Sequence, residues 1–109
     1  MTTTNYVQLG SSKTRLRLNR RTNAMKWKVY ILHCSDDTLY TGITTDILRR
    51  VNEHNNSTKG ARYTRARRPV SLVYHEGCDS RSQASKREHA IKQLSRTEKI
   101  NLIKSRPSS

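Results

Sequence analysis

Two short stretches in which apolar and polar residues alternate stand almost side by side in this chain. In Trp27 to His33, Trp27, Val29, Ile31 and His33 fall on one side and Lys28, Tyr30 and Leu32 on the other; in Thr38 to Ile43, Leu39, Thr41 and Ile43 oppose Tyr40 and Gly42. A period of two over such a length is the pattern of a half-buried strand. The intervening Ser35-Asp36-Asp37 is a turn cluster, so the pair reads as a β-hairpin. Parity then constrains everything else. A slip of one residue would turn every side chain to the opposite face, so if the odd positions share one face of an antiparallel pair, the even positions share the other. Tyr30 and Tyr40 are thereby placed on the same face.

Downstream, Thr44, Thr45 or Asp46 can cap a helix in which Ile47, Leu48 and Val51 form an apolar stripe, while Arg50 and His54, four apart, project together from a neighbouring stripe. Asn55 to Pro69 reads as a basic loop, with Lys59, Arg62, Arg65, Arg67 and Arg68 around the aromatic Tyr63. Val70 to His75 reads as a third strand. Ser80 with Gln83 and Ser95 with Glu98 fit capping boxes that open two further helices, one reaching about Leu94 and the other stopping near Pro107. The order is strand, strand, helix, strand, helix, helix, without an internal repeat.

A chain of 109 residues fits one domain with a modest core and a shallow site. We place that domain at residues 26–109, after an acid-free basic arm at 1–25 whose composition is that of a disordered segment, and expect the arm to be dispensable for chemistry. Organelle transit peptides share the arm's Arg-rich character, and both readings of it stand; Met25 also fits a start of the folded domain. The formal charge of +14 is not confined to the arm, which carries five basic residues of the 22. A field of this size favours a polyanion, nucleic acid first among them. No apolar run approaches a membrane span and the N-terminus lacks a secretory apolar segment, so a cytoplasmic protein, nucleoid-associated or free, is expected. Cys34 and Cys78 are then reduced thiols. His33, Cys34, His75 and Cys78 make a poor zinc set, because adjacent strand residues point to opposite faces and no Cys-x-x-Cys pair exists.

Val29-Tyr30-Ile31 and, ten residues after that tyrosine, Tyr40-Thr41-Gly42 resemble the paired motifs that name the GIY-YIG nuclease family. The register continues: Arg50 lies ten beyond Tyr40, His54 four beyond Arg50, and Glu88 falls in a later helix, where the family places its metal ligand. Gly60-Ala61-Arg62-Tyr63-Thr64 and the short length are similar to the stand-alone, single-domain bacterial branch. The resemblance covers roughly Trp27 to Ser95. It departs at Val29, in place of the first motif's Gly-Ile lead, at Thr41, in place of Ile, and at Ile43, where excision-repair relatives carry a lysine. The resemblance implies an α/β (α+β) fold, a small three-stranded antiparallel sheet flanked by helices, in agreement with the element order. It also implies that Tyr30 or Tyr40 activates water, that Arg50 neutralises the scissile phosphate, that His54 assists at the phosphate or in proton transfer, and that Glu88 holds a metal.

The residue types suit that chemistry. Phosphodiester hydrolysis needs an activated water, charge stabilisation on the phosphate and help for the leaving oxygen. Glu88 shares the stripe of Ala84 and Ile91, where a carboxylate is costly unless paired or metal-bound, and Mg²⁺ or Mn²⁺ is readily held by one carboxylate with waters and substrate phosphate. A tyrosine with its ordinary pKa near 10 needs a cation beside it to serve as a base. Lys59, Arg62, Tyr63, Arg65, Arg67 and Arg68 suit tracking of a nucleic-acid backbone, with stacking on the ring. The expectation is a metal-dependent DNA endonuclease, with selectivity for branched or flapped DNA in repair or recombination a further expectation and RNA left open as a substrate. The alternative is a non-catalytic nucleic-acid-binding module of the same fold. An adaptor recruited through its arm is a third class, although no obligatory protein partner is evident.

Overall fold

A computed structural model describes residues 26–105. The arm at 1–25 and the helix end near Pro107 lie outside the described residues. Strands β1 (Trp27–His33), β2 (Leu39–Thr44) and β3 (Ser71–Cys78) form one antiparallel sheet in the order β2-β1-β3. Helices α1 (Ile47–Asn56), α2 (Arg62–Arg65), α3 (Arg81–Lys92) and α4 (Arg96–Ser105) flank it, so the fold is the small α/β architecture expected.

The hairpin turn closes on main-chain bonds from Cys34 N–H to Thr38 O and from Asp37 N–H to Cys34 O, both 2.9 Å. Asp37 stands at φ 69°, a left-handed conformation that aspartate tolerates, and the Asp36 carboxylate accepts from both the amide and the hydroxyl of Thr38. The resulting register pairs Tyr30 with Gly42 and Leu32 with Tyr40, which puts both tyrosines on one face as parity required.

β1 differs from the half-buried strand expected. It is the central strand, and both of its faces are covered: Val29 and Ile31 lie at 0% exposure in a cluster with Tyr74, Cys78, Ala84 and Ile91, while Tyr30 and Leu32 lie at 1% and 0% in a second cluster with Cys34 and Val70. α3 and α4 supply the lid of the first cluster, through Ala84, Ile91, Leu102 and Ile103, and α1 closes the second with Val51. Cys34 and Cys78 are buried free thiols, one in each cluster.

Other boundaries moved for local reasons. β3 runs three residues past the expected His75, because Glu76, Gly77 and Cys78 continue the pairing with Val29, Lys28 and Trp27; a one-residue irregularity opposite Ile31 and Leu32 had disguised its period. Asp46 is the cap of α1, its carboxylate accepting from Arg49 N–H at 3.1 Å. Leu48, expected on the apolar stripe of α1, is 84% exposed. The inward stripe instead runs Ile47, Val51, His54, at spacings of four and three, and Leu48 lies about 100° around the helix from Ile47. The expected loop from Asn55 to Pro69 contains the single turn α2. The Ser95–Glu98 capping box is complete, with Ser95 Oγ accepting from Glu98 N–H and Glu98 Oε1 from Ser95 N–H, and Ser80 makes the N-cap half of the other, its Oγ accepting from Gln83 N–H. No described helix is long and apolar enough to cross a membrane.

Candidate functional site

The even face of the hairpin carries Tyr30 toward α1, and there the structure closes a buried chain of hydrogen bonds. The Tyr30 hydroxyl lies 2.8 Å from His54 Nε2, and His54 Nδ1 lies 2.7 Å from Thr64 Oγ1. Thr64 has one hydroxyl hydrogen and donates it to Ala61 O at 3.0 Å, so toward His54 its oxygen accepts. Nδ1 therefore carries the imidazole proton, and Nε2 offers its lone pair to the phenol. The chain runs in one direction, from Tyr30 O–H through His54 and Thr64 to the Ala61 carbonyl. His54 and Thr64 are both fully buried. Burial, reinforced by the Arg50 charge, pushes the His54 pKa down from 6.5 to about 4, which keeps the ring neutral, as this donor pattern needs. Burial and the neighbouring Tyr40 push the Tyr30 pKa up to about 12, against the opposing pull of Arg50.

Two glycines make this packing possible. A Cβ on Gly42 would lie 2.6 Å from the Tyr30 hydroxyl oxygen, so the bare backbone of β2 is what leaves room for the phenol. A Cβ on Gly60 would lie 2.7 Å from Glu53 O and 2.9 Å from the His54 Cα, so Gly60 lets the segment before α2 close on α1 and deliver Thr64 to the imidazole.

Arg50, one-quarter exposed, uses Nη1 on Glu53 Oε1 at 2.8 Å and on Lys59 O at 2.9 Å, which fixes the guanidinium beside the Tyr30 hydroxyl. Its neighbour Arg49 is the more exposed of the two. Tyr40 meets His54 edge-on at a centroid distance of 5.2 Å and stacks on Tyr63 at 5.9 Å. The tyrosines are thus unequal: Tyr30 is locked in the hydrogen-bonded chain and Tyr40 stands at the more open edge. Glu88 sits at the border of the α3 stripe rather than within it, beside the buried Ala84 and Ile91, and pairs with Lys92 Nζ at 3.1 Å. Its carboxylate is close enough to act electrostatically on Tyr30. Tyr30, Tyr40, Arg50 and His54 are therefore brought together, while Glu88 stands on α3, paired to Lys92, within electrostatic range of Tyr30.

The residues expected to track nucleic acid divide into two sets. Lys59, Arg62 and Arg65 are exposed on the segment around α2. Arg68 instead donates to the carbonyls of Glu53, His54 and Ser57, capping the C-terminal end of α1 from its side chain. Arg67 is bound to Asp36 and to Tyr63 O, and its guanidinium lies 3.8 Å from the Tyr63 ring centroid. With Arg67 over its ring and Tyr40 stacked on it, Tyr63 is engaged in the protein's own packing.

Sequence reasoning missed Thr64, although it ended the Gly60-Ala61-Arg62-Tyr63-Thr64 segment singled out above; a lone threonine ten residues after His54 carries no signal of its own. It also missed a groove of about 320 Å³ on the far side of Arg50, lined by Trp27, Ile43, Arg49, Arg50, Glu53 and Arg81. Among the described residues, no three His, Cys, Asp or Glu side chains gather as a metal site.

A UPF0213 protein of Desulfotalea psychrophila is 66% identical over 83 residues, 76% of each chain, and one of Syntrophus aciditrophicus is 57% identical over 72% of this chain and 91% of its own. The solution NMR structure of a UPF0213 protein from Bacillus halodurans is 45% identical, covers 72% of this chain and 82% of its own, and superposes with a TM-score of 0.47. The GIY-YIG catalytic domain matches residues 26–101, the span that holds both tyrosines, Arg50, His54 and Glu88. The chain belongs to the GIY-YIG family.

Proposed function

We propose that the protein is a metal-dependent endonuclease that hydrolyses DNA phosphodiester bonds, with Tyr30, Tyr40, Arg50, His54 and Glu88 as its catalytic residues. The observation that carries this reading is the directed chain from Tyr30 through His54 to Thr64, with Arg50 alongside. In it, the Tyr30 O–H donates to His54 Nε2, which turns the remaining lone pairs of the phenol oxygen to accept a hydrogen bond from the attacking water and so orient it. A buried imidazole held neutral accepts that hydrogen bond without taking the proton. Arg50, held by Glu53 and Lys59 O, presents the rest of its fork to the scissile phosphate. Tyr40, at the open edge, positions the water or the phosphate oxygen.

A divalent cation, Mg²⁺ or Mn²⁺, would be held by Glu88 with waters and substrate phosphate, and when bound supplies charge neutralisation at the phosphate and the departing oxygen. The donor fits: a hard carboxylate, partly exposed, whose protein partner is a Lys92 ammonium on a flexible stem that can swing into solvent. Lys59, Arg62 and Arg65 supply phosphate contacts on the α2 side, whereas Arg67 and Arg68 contribute by holding that segment in place.

The Glu88–Lys92 pair by itself also favours a second reading, a nucleic-acid-binding module without catalysis, and one comparison separates the two. The full chain and its Glu88→Gln variant are assayed with Mg²⁺ or Mn²⁺ on linear, flapped and four-way DNA. The endonuclease reading expects cleavage by the wild type and a loss of about 100-fold or more in the variant, with binding retained. Binding without cleavage by either protein would establish the module instead.

A further inference from the structure

The groove beyond Arg50 has a composition the cleavage chemistry does not call for. Three guanidinium groups, Arg49, Arg50 and Arg81, line it with a single carboxylate, Glu53, which is paired to Arg50 at 2.8 Å and to Arg49 at 3.8 Å. The groove thus keeps an excess of positive charge. Trp27 forms part of its wall, with Ile43 beside it, and both pack against the apolar cluster under α3 and α4. Arg81 lies over the indole at 5.8 Å. That distance differs from the 3.8 Å of Arg67 on Tyr63, where guanidinium and ring are in direct contact. A planar group slipped between indole and guanidinium needs roughly 7 Å, two stacking spacings of about 3.4 Å. Arg81, exposed at the first turn of α3, can lift its flexible side chain to that spacing.

An aromatic face under a cation, beside further arginines and continuous with the arginine at the phosphate, matches a nucleotide: a flat base to stack and phosphates to pair. At about 320 Å³ the groove stands at the small end of ligand pockets and takes one nucleotide unit, not a duplex. Stacking also selects for an unpaired base, because a paired base has its faces covered by its neighbours and offers only its edges.

We infer that this groove binds one unpaired nucleotide of the substrate strand adjacent to the phosphate at Arg50, its base between Trp27 and Arg81 and its phosphate on Arg49. The inference rests on the nuclease reading for what Arg50 holds, and it names the substrate class: DNA with a single-stranded nucleotide at the cleavage point, such as a flap or an overhang.

Trp27 is the one tryptophan of the chain, so its fluorescence reports on the groove alone. The full chain carrying Glu88→Gln, free of divalent cations, is titrated with a short oligothymidylate and with a blunt duplex of the same length. The expected result is quenching by the single strand and not by the duplex. Arg49→Ala, a change on an exposed side chain, should lower the slope of log affinity for the single strand against log salt by about 0.7, one phosphate contact. Trp27→Ala should weaken single-strand binding by about 5- to 100-fold. Trp27 also packs on the core, so the Arg49 slope and the unmutated quench carry the test if that variant fails to fold. Single-strand binding without quenching, with the slope unchanged in Arg49→Ala, would overturn the inference and leave the endonuclease reading to its own assay. Equal quenching by duplex would overturn the preference for an unpaired base. Failure to bind any DNA would overturn both readings together.

Discussion

Strand β1 turns Val29 and Ile31 to one side of the sheet and Tyr30 and Leu32 to the other, and the two sides are held by different physics although both are fully buried. Beneath α3 and α4 the contacts are mainly apolar: Val29 and Ile31 meet Ala84, Ile91, Leu102 and Ile103. Burial there is non-directional and indifferent to pH. Beneath α1 the same strand meets His54 and Thr64, and what closes the space is a line of hydrogen bonds with a fixed donor sense. Buried polar groups of this kind contribute little net stability when satisfied and cost several kcal/mol when one partner is lost. The comparison teaches that the first face is packed without direction, whereas the second adds to its own apolar cluster of Leu32, Cys34 and Val70 a polar line that fixes which atom faces which.

The largest stability effect should come from the apolar face. Ile31→Ala removes a side chain at 0% exposure and should lower unfolding free energy by about 2–5 kcal/mol in chemical denaturation. Cleavage per folded molecule should fall far less than in Glu88→Gln, because Ile31 points away from the Tyr30 hydroxyl and touches the site only through the seating of α3, which carries Glu88. A proportionate loss of activity at full folding would break the division of labour between the faces.

A smaller effect separates the two faces by pH. His54 titrates near 6.5 in an unfolded chain and at about 4 in the protein, so between those values the unfolded chain binds a proton that the folded chain refuses. Stability is therefore complete above about pH 6.5 and falls as pH drops toward 4, by at most about 3 kcal/mol. The Asp36, Asp37 and Glu53 carboxyls are held low, chiefly by hydrogen bonds from Thr38, His33 and Arg50, so the stability they add is lost only as pH falls through the ordinary carboxylate range and below, at the acid end of that window. His54→Gln should flatten the slope between pH 6.5 and 4.5, and Ile31→Ala should shift the curve down with its slope unchanged. An equal slope in wild type and His54→Gln would show that the imidazole is not kept neutral by its surroundings.

The two faces were also unequally legible. Alternation in Trp27–His33 and Leu39–Thr44 needed only local pattern, and the parity that placed Tyr30 beside Tyr40 followed from it. The central position of β1 was not legible, because it depends on which strand β3 pairs with, a long-range choice. Leu48 was read by type, an apolar residue inward, and the structure reverses it, whereas His54 was read only as projecting with Arg50 from a neighbouring stripe, and it is the one buried side chain of α1. Hydropathy alone does not say that a histidine has found a partner at each nitrogen. Arg68 looked like its neighbours Arg65 and Arg67 in a run of positive charge, yet it serves main-chain carbonyls at the end of α1. Glu88 falls on the helix that Ser80 opens, and Arg50 lies one turn before His54 on α1, because spacing along a helix is local information.

The last prediction concerns Thr64, where the polar face is most specific and the expected effect smallest. Thr64→Val keeps the shape and removes the hydroxyl, leaving the His54 Nδ1–H without its acceptor at a fully buried site, a loss of about 1–3 kcal/mol. The stability change alone would say only that a buried donor had lost its partner. The sharper readout is the imidazole itself: its ¹⁵N shifts should show one tautomer, protonated at Nδ1, in the wild type and in Thr64→Ser, and a mixture or the reversed tautomer in Thr64→Val. In the reversed tautomer Nε2 carries the proton and can no longer accept from Tyr30, so cleavage should fall in Thr64→Val and return in Thr64→Ser, which restores the hydroxyl without the methyl. A single Nδ1–H tautomer in Thr64→Val would mean that Tyr30, not Thr64, sets the direction of the chain.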